Sequence, residues 1–328
     1  MKSPPVAAVD WCKAGKYFSW KSTLAENAAS GPLNIFSLCR GNPQSPAILL
    51  IHGYPTSSYD FYKLVGLLTQ DFYVCLLDTP GYGFSDKPRH GYRYSVFDDA
   101  RLVDDFIRKV INLRNFTLVT HDKGDSVGLA LLQIYQSRAL KPYIINHQII
   151  LNGNIYLPLA QLNIGQKLLL NHITGPVMSA LMTGSQMARG LARTTYSPTL
   201  PAEEVEALVS IFNYQSGMKI QHDIIQYLNE RKANEIVWLE ALGRSEVPAM
   251  LIWGELDSIA PPAVADYVWS NYLKGRAVPA SYWRVPCANH YVQFDQPEIV
   301  AALIRSAVKP GSGISNITNA GCQPYQIK

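Results

Sequence analysis

Seven short apolar runs, each bounded by turn residues, punctuate the chain: Leu33–Leu38, Ala47–Ile51, Tyr73–Leu77, Phe116–Val119, Gln148–Leu151, Ala249–Trp253 and Ser281–Val285. Runs of this length predict strands. Between them, Asp60–Leu68, Val96–Val110, Ser126–Tyr135, Pro262–Leu273 and Glu298–Val308 carry apolar residues at helical spacing. Alternation of this kind builds an α/β fold, a mostly parallel sheet flanked by helices. Lys16–Trp20 is placed to pair with the first run as a hairpin. The alternation stops between about Ile155 and Ser245, where Leu157–Ile173, Val177–Arg193, Ala202–Tyr214 and Met218–Ala241 read as consecutive helices. Pro198 and Pro201 break the middle of that block. The expected organisation is a core of residues 1–154 and 246–310, a helical lid over 155–245, and a small, polar, poorly ordered tail over 311–328.

Composition narrows the class. With 328 residues, 48% hydrophobic and 16% charged, the chain can bury a sizeable core, which argues against disorder. The net charge of +4 is not gathered into basic runs interleaved with aromatics, so neither nucleic acid nor a membrane surface is an expected partner. No stretch approaches the ~20 apolar residues needed to span a bilayer, and MKSPPVAAVDWCK lacks the apolar segment of a signal peptide. The five cysteines, Cys12, Cys39, Cys75, Cys287 and Cys322, are odd in number and include no C-x-x-C, so reduced and mostly packed thiols are expected. A reducing compartment, most simply the cytoplasm, follows from that expectation. The triplets Asn115-Phe116-Thr117 and Asn316-Ile317-Thr318 then read as chance. Oligomeric state is not legible.

Two overlapping nucleophile motifs follow the run Phe116–Val119. One is Thr120-His121-Asp122-Lys123-Gly124; the other is Gly124-Asp125-Ser126-Val127-Gly128, a literal G-x-S-x-G. Register separates them. A nucleophile elbow stands directly between strand and helix, with the helix N-terminus facing it. Putting Ser126 there would run the strand through His121, Asp122 and Lys123 and remove the first helical turn. Putting Asp122 there ends the strand at Thr120, lets Gly124 bring helix and strand close, and leaves Ser126 inside the helix. The bland alternative makes Asp122 a helix cap. A carboxylate is ionised at neutral pH and attacks without a base, which suits displacement at a saturated carbon and leaves an ester for water to cleave.

Cleaving that ester requires a base. His290, late in the chain in Ala288-Asn289-His290-Tyr291, is the candidate. Asp257, in Trp253-Gly254-Glu255-Leu256-Asp257, would orient it, with Glu255 as the nearby rival. The chain order nucleophile, acid, histidine suits this fold. His52-Gly53-Tyr54-Pro55 follows a strand and would form an oxyanion hole from the backbone N–H groups of Tyr54 and Lys123, with the His52 side chain structural. The turn Pro80–Ser85 would shape the pocket wall.

The stretches HGYPTSSYD, DTPGYGFSDKP, VTHDKGDSVG, WGELD and ANHYVQFDQPE resemble the epoxide hydrolase and haloalkane dehalogenase branch of the α/β-hydrolase superfamily, from about Leu33 to Val308. Within it the chain is most similar to mesoderm-specific transcript-like proteins, through HGYPTSSYDFYK, GFSDKP, the Asp-x-Gly-Asp elbow and IIQYLNERK. The resemblance implies an eight-stranded sheet with a helical lid, and neither a metal nor an organic cofactor. Haloalkane dehalogenases typically hold the halide with a Trp after the nucleophile and often an Asn in the oxyanion loop. Lys123 and Tyr54 stand there instead, which demotes dehalogenation. Epoxide hydrolases use lid tyrosines as acids. Tyr227 matches one such position by context, and Tyr156 and Tyr196 are candidates for the second. The expected activity is epoxide hydrolysis on a small apolar organic substrate with water. Ester or lactone cleavage through Ser126, and a specialised binder that keeps the fold, are the rivals.

Overall fold

The computed structural model describes residues 7–309 and 321–328. Nine strands form one sheet in the order β1-β2-β4-β3-β5-β6-β7-β8-β9. They are β1 (Lys16–Trp20), β2 (Leu33–Arg40), β3 (Ala47–Ile51), β4 (Tyr73–Leu77), β5 (Asn115–His121), β6 (Ile144–Leu151), β7 (Ala249–Gly254), β8 (Ala280–Val285) and β9 (Tyr325–Ile327). The six strands from β4 across to β8 run parallel, while β1, β2 and β9 add antiparallel edges. Alternate residues of β3 enter separate cores: Leu49 and Ile51 pack on one face, Ile48 and Leu50 on the other. This two-sided burial is why the central strands read as continuous apolar runs.

The helices are α1 (Ala8–Ala14), α2 (Tyr62–Leu68), α3 (Val96–Asp105), α4 (Lys123–Ser137), α5 (Ile164–Leu170), α6 (Thr174–Leu181), α7 (Gly184–Thr194), α8 (Ala202–Asn213), α9 (Gln221–Ile225), α10 (Tyr227–Gly243), α11 (Pro262–Val268), α12 (Val292–Asp295) and α13 (Pro297–Val308). Helices α5 to α10 fill the interval between β6 and β7, where alternation was expected to stop. The expected helix Leu157–Ile173 is cut short. Asn163 and Gln166 form a reciprocal capping box that starts α5 at Ile164, and Asn171 caps the turn into α6. No helix among the described residues is long and apolar enough to cross a membrane.

Two expectations are overturned. Four of the five cysteines are paired, Cys39 with Cys75 and Cys287 with Cys322, leaving Cys12 free. Cys39 and Cys75 are direct register partners across β2 and β4, a proximity that sequence spacing does not reveal. With two disulfides in place, the cysteines do not point to a reducing compartment. The end of the tail is also structured: Tyr325–Ile327 pairs with β8, making nine strands where eight were expected, and the Cys287–Cys322 bridge anchors it. Residues 310–320, including Asn316-Ile317-Thr318, lie outside the described residues, as do residues 1–6.

Candidate active site

Strand β5 pairs with β6 as far as His121, one residue beyond the expected end, and α4 begins at Lys123. Asp122 alone occupies the junction, with φ 52° and ψ −111°. That left-handed backbone is uncommon and strained for a residue with a Cβ. Its side chain caps none of the helix amides, which removes the reading of Asp122 as a mere cap. The neighbouring backbones press close to it. A Cβ on Gly53 would lie 2.6 Å from the Asp122 Cβ, and one on Gly124 would lie 2.4 Å from the Ile51 carbonyl oxygen. Both positions therefore require glycine.

Asp122 Oδ1 accepts the backbone N–H of Tyr54 at 2.8 Å. Its Oδ2 faces His290 Nε2 at 3.6 Å. On the other side of the imidazole, Nδ1 meets Asp257 Oδ2 at 2.9 Å. Asp257 is itself fixed: Oδ1 accepts from the Ile259 and Ala260 amides at 2.8 and 2.9 Å, and Oδ2 accepts Asn152 Nδ2 at 2.8 Å. Glu255, its sequence rival, instead accepts the Tyr325 hydroxyl at the sheet edge. The three residues Asp122, Asp257 and His290 are all buried. Burial alone would neutralise His290, but the charge and hydrogen bond of Asp257 and the facing carboxylate of Asp122 outweigh it and raise the imidazole to about 10. Burial opposes ionisation of Asp122 too, yet the facing His290 imidazolium, then the charge of Arg231, hold its carboxyl below the usual range.

The supporting motif residues divide by role. Burial first, then the Lys123 charge, lowers the His52 imidazole to about 3, so it is neutral; its Nε2 accepts the Thr79 amide at 3.1 Å. His52 thus ties the loop after β3 to the loop after β4. The Lys123 ammonium turns away into a buried ion pair with Asp99, also reaching Thr79 Oγ1 at 3.2 Å. What Lys123 presents near Asp122 is the first backbone amide of α4, one of the helix-start donors without an intrahelical partner. A cis peptide joins Tyr54 to Pro55. Both residues line a cavity with Asp122, His290 and Tyr291, and the helical block contributes apolar Leu169, Met182, Met187 and Leu191 beside polar Asn163, Gln166 and Thr195.

The α/β-hydrolase fold family matches residues 46–167. The mesoderm-specific transcript protein of Mus musculus is 33% identical over 256 residues, covering 76% of this chain and 73% of that protein. This chain belongs to the α/β-hydrolase family, in its mesoderm-specific transcript-like branch. Epoxide hydrolase 3 of Xenopus tropicalis is 25% identical over 292 residues, covering 82% of this chain and 73% of that one. The solved haloalkane dehalogenase DbeA from Bradyrhizobium elkani USDA94 superposes with a TM-score of 0.70 at 19% identity, spanning 90% of this chain and 99% of that chain, and so shares the fold. The protein is a hydrolase of this family.

In this α/β-hydrolase the lid tyrosines are placed unequally. Tyr227 opens α10 and is buried, its ring 5.8 Å from that of Tyr54. Burial and then the Asp122 charge push its hydroxyl well above the usual range, so it keeps its proton. It does not line the cavity, and neither do Tyr156 and Tyr196. Tyr156 stacks on Tyr267 at 3.8 Å, and Tyr196 on Tyr291 at 4.3 Å. Three contributors escaped sequence reading. Asn152, with φ 41°, holds Asp257 from the end of β6. The Tyr54 side chain lines the cavity, and its hydroxyl has no protein partner among the described residues. Arg231 reaches the elbow from α10. An Asn directly after a strand gives a faint signal for the first; the other two leave none.

Proposed function

We propose that this hydrolase opens epoxides to diols through an ester on Asp122. The observation that carries the reading is Asp122 at the strand–helix junction, with the Tyr54 amide on one carboxylate oxygen and His290 facing the other. Asp122 attacks an epoxide carbon, the carbon–oxygen bond breaks, and the ring oxygen takes a proton from a neutral tyrosine hydroxyl. Tyr54, which lines the cavity, is the first choice for that donor, and Tyr227, the donor expected from sequence and packed against it, is the second. Water then attacks the ester carbonyl while His290 takes its proton, and the Tyr54 and Lys123 amides hold the oxyanion. Collapse breaks the acyl bond, and the departing alkoxide takes the proton from His290. The remaining carboxylic proton passes to His290, which restores the imidazolium beside the Asp122 carboxylate.

The electrostatics suit this sequence. His290 is raised partly by Asp122, so it is an imidazolium in the resting site. Esterification removes the Asp122 charge, so the imidazolium gives its proton to the tyrosinate and becomes the base that water attack needs. The distant likeness to an epoxide hydrolase supports the same reading, as does the Lys123 side chain, which is committed to Asp99 and supplies no Trp-like halide cradle. The test is turnover of aryl and alkyl epoxides, haloalkanes and nitrophenyl esters by wild type, Asp122→Ala and Ser126→Ala. A single turnover in oxygen-labelled water should place label in the Asp122 carboxylate. Diol formation lost only in Asp122→Ala is the expected result; ester cleavage lost only in Ser126→Ala would overturn the reading.

A further inference from the structure

The Gly124-Asp125-Ser126-Val127-Gly128 stretch supplies no nucleophile in this reading, yet Ser126 is fully buried. Its Oγ accepts Arg231 Nε at 2.6 Å. Arg231, from α10, is also fully buried, and its Nη2 donates to the backbone carbonyl of Asp122 at 2.8 Å. The remaining nitrogen, Nη1, has no protein partner among the described residues. No carboxylate there comes within ion-pair distance of the guanidinium, a costly state for a buried charge. The face of the Tyr227 ring lies 5.0 Å from the guanidinium carbon. Thus, among the described residues, this cation from α10 hydrogen-bonds the residue at the elbow and the first turns of the helix behind it.

We infer that Arg231 and Ser126 form a clamp by which lid helix α10 sets the nucleophile elbow, making Arg231 a positioning residue for Asp122. A strained backbone persists only where its surroundings over-determine it. The Asp122 carbonyl is held from two sides, by the Asp125 amide at 3.1 Å and by Arg231. Arg231 therefore couples lid seating to the direction in which the carboxylate points. The same bond gives the serine of the G-x-S-x-G stretch a role, since its oxygen accepts from a cation and is not presented to His290. The buried cation also favours the ionised form of Asp122. The other titratable groups acting on that carboxylate include His290, His121, Asp60, Asp125, Tyr54 and Tyr227.

The inference rests on Asp122 as nucleophile, so its test must fail separately from that reading. Epoxide turnover and its pH profile are measured for Arg231→Gln, Arg231→Lys, Ser126→Ala and the Arg231→Gln/Ser126→Ala double variant. Arg231→Gln should lower kcat by about 10²-fold, as expected for a displaced reacting group, with little change in KM. Its acid limb in kcat/KM should move to higher pH, because a cation beside the carboxylate is gone. Arg231→Lys should restore the acid limb but only part of kcat, since it carries the charge without the fork. Ser126→Ala should lower kcat less and leave the acid limb in place, and the double variant should be no worse than Arg231→Gln alone. Unchanged kcat and acid limb in Arg231→Gln, with Asp122→Ala inactive, overturn the clamp and leave the nucleophile standing. Loss of all turnover in Ser126→Ala, with Asp122→Ala active, overturns the nucleophile reading instead. Should Arg231→Gln fail to fold, Ser126→Ala decides: a lowered kcat supports the clamp, and an unchanged kcat overturns it.

Discussion

The parallel sheet and the helical block above it bury their side chains differently. Every residue of β3 and β7 is buried. In the lid, Ile164, Ile173 and Leu181 are 77%, 82% and 74% exposed, so α5 and α6 gain much less from burial than their composition suggests. α10 packs on the core through Leu228, Trp238 and Leu239, and polar contacts add to this: Glu204 with the Tyr59 and Tyr62 hydroxyls, Glu230 with Ser95 and the Val96 amide, and Arg231 with the elbow. Asp122, Asp257 and His290 thus stand on loops anchored by fully packed strands, while α5 and α6 leave much of their apolar surface to solvent.

That contrast can be broken from the core side first. Asp99→Asn leaves the buried Lys123 ammonium without its counter-charge at the first turn of α4. It should destabilise the protein by about 3–5 kcal/mol in urea titrations; a smaller loss would mean the elbow is less firmly founded than its burial suggests. Leu50→Ala, in the middle of β3, should cost about 2–5 kcal/mol in the same titrations.

A smaller effect belongs to pH. His290 holds its proton more tightly in the folded protein, at about 10 against an ordinary 6.5. Its contribution is fully present below the ordinary value and is lost as pH rises through about 10. Thermal melts should show an alkaline decline that shrinks in His290→Gln. An identical decline in both proteins would remove the imidazolium from the account. The smallest change is expected in the lid. Ile173→Ala should alter global stability by no more than about 0.5 kcal/mol. A cost rivalling that of Leu50→Ala would erase the distinction between the two regions.

The positions of the strands were legible because strands buried on both faces leave unbroken apolar runs, and Ala47–Ile51 and Tyr73–Leu77 coincide with β3 and β4. The elbow was legible for a related reason. Polar residues end a buried strand, so the chain could turn only near Asp122, and the structure places Asp122 there with His290 and Asp257 beside it. Lid helices were visible, but not their joints, because short-range caps such as Asn163 with Gln166 decide those.

The sequence by itself determined the alternation of strands and helices, the interruption filled by α5 to α10, and a register that allows Asp122 but not Ser126 between strand and helix. Those features are written in periodicity and local turn chemistry, which act over a few residues. Only the tertiary structure decided that Cys39 meets Cys75 across two strands, that the chain end adds a ninth strand, and that Arg231 crosses 109 positions to reach the Asp122 carbonyl. Such contacts depend on which surfaces the packed layers bring together, and separation along the chain carries no trace of them.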